Sequence, residues 1–186
     1  MSAYFDSIFS FALVKKTDKG IDKHDFVKAC KDLVTIFDYL SPTAFAPVKN
    51  DLMGNINNLE GSGHETLTAC ITKDEVDKAG TTSCAALWLT RGLNFTCTAL
   101  QTAIDHPDKE LSSCFSTAYS NTLAKHHAFY VKPIFAIAMK AIPYRKDFYA
   151  NLSGGKTEKD IDEKQREWVG ALSTIVKELT VLLGKE

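Results

Sequence analysis

Cys84-Ala-Ala-Leu-Trp-Leu-Thr-Arg-Gly-Leu-Asn-Phe95 (CAALWLTRGLNF, residues 84–95) is the stretch from which the fold is read. Trp88, Arg91, Gly92 and Phe95 stand at i, i+3, i+4 and i+7, which is one face of a helix. Thr81–Thr82 supply N-cap hydroxyls ahead of it. The apolar pattern continues to about Ile104, and Asp105–Pro107 breaks it. A glycine inside a helix costs about 1 kcal/mol relative to alanine, so Gly92 implies close approach of another helix or a ligand.

Working outward, the same period recurs on both sides. Ile21 to Leu40 carries Phe26, Val27, Cys30, Leu33, Val34 and Phe37 close to a 3.6 repeat, and Ser41–Pro42 ends it. A helix from about Thr43 to Glu60 holds Pro47 in its first turn, where a missing N–H costs little, and stops at Gly61–Gly63. His64 to Lys78 reads as a helix ending at Gly80. Lys109 to Ala141 reads as one long helix kinked at Pro133. A short helix follows Pro143, and Ser153–Gly155 forms a loop. The last helix runs from about Glu158 to Leu183 with Trp168, Val169, Leu172, Ile175, Val176, Leu179 and Leu182–Leu183 as its apolar stripe. No alternating strand stands out. The expectation is an all-α domain over residues 1–186, with about seven or eight helices packed in two layers.

Composition narrows the function classes. The chain has 186 residues, 45% apolar and 24% charged, enough for a core without staples. A net charge of −1 gives no broad attraction to nucleic acid. Cys30, Cys70, Cys84, Cys97 and Cys114 are odd in number, and none form a CxxC pair. They read as structural thiols of a reducing, cytoplasmic compartment, with no metal and no cofactor. The apolar stretch in MSAYFDSIFSFALVKK precedes its basic residues, the reverse of a signal peptide, and no run approaches the ~20 apolar residues of a membrane span. HExxH, GxSxG, P-loop and GxGxxG patterns are absent, so no enzyme chemistry is indicated.

The polar residues that a helical core does not need are the candidates. Asp51, Asn55 and Asn58 lie at i, i+4 and i+7 beside Leu52, Ile56 and Leu59. They suit a solvated helix face, or a row that bonds hydroxyls through carboxylate and amides. Trp88 suits the core, or a platform for a sugar ring. Arg91 suits a structural ion pair, or phosphate. His126 and His127 point about 100° apart on a helix, with His127 beside the stripe of Tyr130, Val131 and Ile134. A haem-binding reading of these two imidazoles is a third class.

Taken together, these residues resemble the glycolipid transfer protein family. The resemblance rests on Asp51-Leu-Met-Gly-Asn55, Trp88-Leu-Thr-Arg91-Gly92-Leu, Ala118-Tyr119…His126-His127-Ala-Phe129 and Ala141-Ile-Pro143-Tyr144-Arg-Lys-Asp147-Phe148, in order across about residues 20–150. It implies a two-layer helical sandwich enclosing lipid chains in an apolar tunnel, with the headgroup at the surface. By that similarity Trp88 stacks on the first sugar, Asp51 and Asn55 bond its hydroxyls, and Asp51 with His127 holds the ceramide amide. Asn58 and Arg91 are further headgroup candidates.

Three positions depart from the family pattern: Asn58 replaces a lysine, His126 a tyrosine, and Phe129 a tryptophan. The implied partner is a glycosphingolipid with a simple sugar. A ceramide phosphate carrier, or a lipid sensor signalling through a protein partner, are the alternatives. Phe129 and Tyr144 with Lys125, Lys132 and Lys146 form the expected membrane-docking set. A monomer that touches membranes transiently and binds no nucleic acid completes the expectation.

Overall fold

The tryptophan-bearing stretch lies within the longest helix of a computed structural model that describes residues 3–73 and 81–184. In chain order the elements begin with α1 (Tyr4–Ser7), a 3-10 turn at Phe11–Leu13, β1 (Lys16–Thr17) and β2 (Gly20–Ile21). Then come α2 (Lys23–Val34), α3 (Ile36–Leu40), α4 (Ala46–Gly61), α5 (Leu67–Thr72) and α6 (Thr82–Asp105). After α6 follow α7 (Leu111–Asn121), a 3-10 turn at Leu123–Lys125, α8 (Lys132–Lys140) and α9 (Arg145–Leu152). A 3-10 turn at Glu158–Asp160 leads into α10 (Asp162–Leu183).

The fold is organised around α6. The Thr81 hydroxyl accepts from the Cys84 N–H at 3.1 Å, satisfying a free donor of its first turn. The helix is buried on most sides and packs against α4, α5, α7 and α10, while α2 lies on α4 and α8 on α7. A helix apolar nearly all round must be covered on several faces, which makes it the central element. Phe26, Phe37, Ile56, Leu59, Phe95, Phe115 and Phe148 are buried together with the apolar stripe of α10. Each such side chain contributes roughly 1.5–3 kcal/mol when removed from water. None of the five cysteines is in a disulfide; four are buried and Cys84 is half-buried.

Two stretches expected as single helices are divided. Residues 21–40 break at Thr35. There the Tyr4 hydroxyl donates to the Asp32 carbonyl at 2.9 Å, and the Thr35 hydroxyl donates to the same carbonyl at 2.7 Å. Those donors compete for the carbonyl that would continue the ladder, and α2 ends at Val34 with α3 resuming at Ile36. Residues 109–141 are not one kinked helix either. α7 stops where the Thr122 hydroxyl takes the Ala118 carbonyl at 2.7 Å, and the 3-10 turn at Leu123–Lys125 and then irregular backbone lead to Val131. Pro133 then sits in the first turn of α8, where a proline lacks nothing the helix needs. His126 and His127 therefore lie in a turn, and their helical spacing to Tyr130, Val131 and Ile134 does not apply.

One short antiparallel pair, Lys16↔Ile21 and Thr17↔Gly20, departs from the strand-free expectation. Gly20 has φ +119°, and a Cβ there would collide with the Thr68 hydroxyl, so only glycine closes this hairpin against α5. The expected helix from His64 begins later, at Leu67 behind the Thr66 cap, and its continuation to Lys78 and Gly80 lies outside the described residues. Among the described residues no helix is long and apolar enough to cross a membrane.

Candidate functional site

Helix geometry places Asp51 and Asn55 one turn apart on α4, and the Asn55 side-chain amide donates to the Asp51 carbonyl at 2.9 Å. Across from them, α6 presents Trp88 and Gly92. The two helices come together closely at this level: a Cβ on Gly92 would lie 2.5 Å from the Leu52 Cδ2. This close approach is the reason for a glycine in the middle of a buried helix.

The turn after α7 supplies the third wall. The His127 Nδ1 is 3.2 Å from the Tyr119 hydroxyl. Its ring lies 4.8 Å from that of Phe135 and nearly parallel to that of Trp88, at 6.2 Å and 18°. Tyr119 and Phe135 stack at 4.6 Å and 10°. These contacts hold a histidine in irregular backbone at a fixed orientation. Tyr119 is thus a site residue whose role the sequence reading did not assign, and its signal was only its place in the Ala118-Tyr119 motif.

Asp51, Asn55, Trp88 and His127 line one cavity of about 300 Å³. Behind them its walls are apolar, with Leu52, Phe95, Leu123, Ile134 and Phe135. Asp51 is exposed as a residue, yet its carboxyl faces the cavity mouth, and burial there raises its pKa while the His127 charge opposes the shift. Burial lowers the His127 pKa, with Asp51 opposing and Lys132 adding to the effect. The two groups feel each other's charge, yet no hydrogen bond or ion pair joins them among the described residues. An amide can enter between them and donate to one while accepting from the other.

Two candidates lie elsewhere. Asn58 is exposed on α4 and does not line the cavity. Arg91 lays its guanidinium over the Trp88 ring at 4.8 Å but lines a separate cleft with Lys125 and His126. Among the described residues, no arginine or lysine lines the cavity.

Of the candidate docking residues, Phe129 is 85% and Tyr144 75% exposed, and Lys125, Lys132 and Lys146 are exposed as well. Tyr130, Ile134 and Ile137 extend this apolar exposure along the turn and α8, and sequence spacing had not selected them. Their signal was the unbroken apolar run of α8, which offers more apolar surface than its short core face covers.

Arg145 was also missed. It is buried, bonds Glu158 through Nε at 3.0 Å, and donates to the carbonyls of Ala103 at 2.8 Å and Lys109 at 3.1 Å. It ties α9 to the end of α6 and fixes the segment after Pro143.

Residues 21–154 match the family model described as Glycolipid transfer protein (GLTP). The chain is 38% identical to a glycolipid transfer protein of Aureobasidium melanogenum over 190 residues, covering 98% of this chain and 94% of that protein. It is 34% identical to human pleckstrin homology domain-containing family A member 8 over 146 residues, covering 73% of this chain but only 28% of that longer protein. Among solved structures, the fungal glycolipid transfer protein HET-C2 superposes with a TM-score of 0.86 at 38% identity, covering 95% and 94% of the two chains. The structure described as showing how FAPP2 selects simple glycosphingolipids using the GLTP fold gives 0.81 at 26% identity, covering 99% and 97%. Mouse ceramide-1-phosphate transfer protein, at 0.82 and 21% identity over 98% of both chains, shows the same all-α fold.

Proposed function

This chain belongs to the glycolipid transfer protein family, and from that premise we propose that it binds a glycosphingolipid and carries it between membranes. The observation that supports this most is the meeting of Asp51, Asn55, Trp88 and His127 at the mouth of an apolar cavity. Trp88 offers a flat face to a sugar ring. Asp51 accepts from hydroxyls, and Asn55 both donates and accepts. Asp51 and His127 flank the space for the ceramide amide, which would otherwise lose roughly 1–3 kcal/mol on burial without partners.

Hydrocarbon uptake drives retention, at about 0.8 kcal/mol for each CH₂ removed from water. A cavity of about 300 Å³ is smaller than two long chains require, so uptake parts the helices around Phe135 and Ile134. Carriage makes and breaks no covalent bond, and the protein is read as a carrier rather than an enzyme.

A sugar headgroup is favoured over a phosphate because, among the described residues, no arginine or lysine lines the cavity. Docking is assigned to Phe129, Tyr130, Ile134, Ile137 and Tyr144, with Lys125, Lys132 and Lys146 meeting anionic lipid at the interface. Residues 1–186 then act as one monomeric lipid-transfer domain working in the cytoplasm.

Transfer of labelled galactosylceramide between vesicles tests the proposal. The folded protein accelerates it, and Asp51→Val lowers galactosylceramide affinity about 10- to 100-fold through loss of a charged hydrogen bond, with stability unchanged at this exposed position. A folded wild-type protein that transfers no glycosylceramide overturns the reading.

A further inference from the structure

Arg91 differs from the other arginines in how it is satisfied. Arg145, buried on the far side of α6's end, is paired with Glu158 and with main-chain carbonyls. Arg166 is paired with Asp162. Arg91 has no ion-pair partner among the described residues, and its Nε is buried without any hydrogen-bond acceptor. A guanidinium with an unmet buried donor is costly.

The space in front of it is a cleft of about 160 Å³ between α6, the end of α7 and the end of α10. Its other polar walls include Lys125, His126, Asn94, Asn121 and Thr122. Lys125, His126, Asn94 and Asn121 can donate into it, the Thr122 hydroxyl donates instead to the Ala118 carbonyl, and among the described residues no carboxylate lines the cleft. Lys125 and His126 likewise have no ion-pair partner among the described residues, whereas Lys16, Lys31, Lys49 and Lys164 each have one. Among the described residues no hydrogen bond runs from Arg91 or Lys125 to a carbonyl of α7 or α10. Burial lowers the His126 pKa, and the charges of Arg91, Lys125 and His127 push it the same way. Arg91 and Lys125 bring positive charge to the cleft, and among the described residues only the C-terminal ends of α7 and α10 stand opposite it.

We infer that this cleft is a binding site for a phosphate- or sulfate-type oxyanion, supplied as a free ion or as an ester on the sugar of a glycolipid headgroup seated at Trp88. Planar guanidinium, ammonium and imidazole donors around one small space match a tetrahedral oxyanion's several acceptors. At ~30 Å³ per water, the cleft holds about five water volumes, enough for such a group and part of its hydration. Arg91 connects the two sites, because the guanidinium facing the cleft also lies over the Trp88 ring. The headgroup arm of this inference rests on the glycosphingolipid reading; the free-ion arm does not.

The experiment has two arms. In the first, inorganic phosphate is titrated at constant ionic strength against chloride while the His126 imidazole ¹⁵N resonances are followed. A saturable shift with phosphate and none with chloride is expected, weakened in Lys125→Gln and lost in Arg91→Gln. Lys125 is exposed, so its variant keeps the test valid if Arg91→Gln does not fold. In the second, affinities for galactosylceramide and its 3-sulfate ester are compared. A preference of about tenfold for the sulfated lipid that disappears in Lys125→Gln identifies the headgroup as the source. Equal affinities with a positive phosphate titration identify a free ion. No saturable phosphate shift and no headgroup preference in the wild-type protein overturn the inference. Failure to bind either lipid, with phosphate still titrating, overturns the glycosphingolipid reading instead.

Discussion

Gly92→Ala separates two physical effects of opposite sign. Helix propensity alone makes it stabilising by about 1 kcal/mol, because glycine loses more backbone freedom on folding than alanine. The tertiary structure reverses this. The new methyl would stand 2.5 Å from Leu52 Cδ2 and 3.7 Å from Leu52 Cγ, and Leu52 is 2% exposed. Leu52 must give way, and the open direction is the cavity it lines. Overpacking of this kind costs roughly 1–3 kcal/mol, so the net change is a loss of about 1 kcal/mol. In a protein of this size that lowers Tm by about 2–4 °C.

Urea denaturation followed by circular dichroism measures the change, and a double-mutant cycle assigns its cause. In a Leu52→Ala background the obstacle is gone, and Gly92→Ala becomes stabilising by about 1 kcal/mol. The coupling is then about 2 kcal/mol, and galactosylceramide uptake falls in the Gly92→Ala single variant because Leu52 occupies cavity space. If Gly92→Ala stabilises the wild-type protein, the close approach of α4 and α6 is wrongly described, and with it the shape of the cavity.

Three further outcomes are expected. Tyr119→Phe removes the hydroxyl at His127 Nδ1, leaves stability within about 1 kcal/mol, and weakens galactosylceramide binding about 3- to 10-fold by calorimetry, since the imidazole loses its fixed orientation. His126 and His127 both have pKa values below the usual 6.5, so the unfolded chain binds more protons than the folded one as pH falls through 6.5. Stability therefore declines between pH 6.5 and the lowered values, and urea midpoints at pH 7.5 and 5.5 differ less in a His126→Gln/His127→Gln double variant. Arg145→Met leaves the carbonyls of Ala103 and Lys109 and the Glu158 carboxylate without their donor, a loss of about 3 kcal/mol after allowing for the partial exposure of Glu158. Thermal melting shows this as a fall of about 6–12 °C.

Much of the architecture was legible without coordinates. The punctuation of Pro42, Gly61–Gly63, Pro107, Pro143 and Gly154–Gly155 marks helix ends because each residue acts on its own backbone. The spacing of Asp51 and Asn55, and of Trp88 with Gly92, was readable because a helix fixes the relation of residues three and four apart wherever it is placed. The family resemblance then joined those local faces in one expectation, and Asp51, Asn55, Trp88 and His127 line one cavity.

Other features depended on partners far away in the chain. The end of α2 is set by Tyr4, whose hydroxyl takes a carbonyl 28 residues on. His127 faces Trp88 because α7 ends early and Tyr119 holds the imidazole, so its helical spacing was misleading. Arg91 shares a helix face with Trp88 in sequence, yet its guanidinium turns to a cleft closed by α7 and α10. Arg145 carries no pattern at all until the ends of α6 and the loop with Glu158 surround it. Contacts within one helix turn are dictated by backbone geometry and are written in residue spacing. Contacts between helices depend on how the whole chain packs, and only the folded structure decides them.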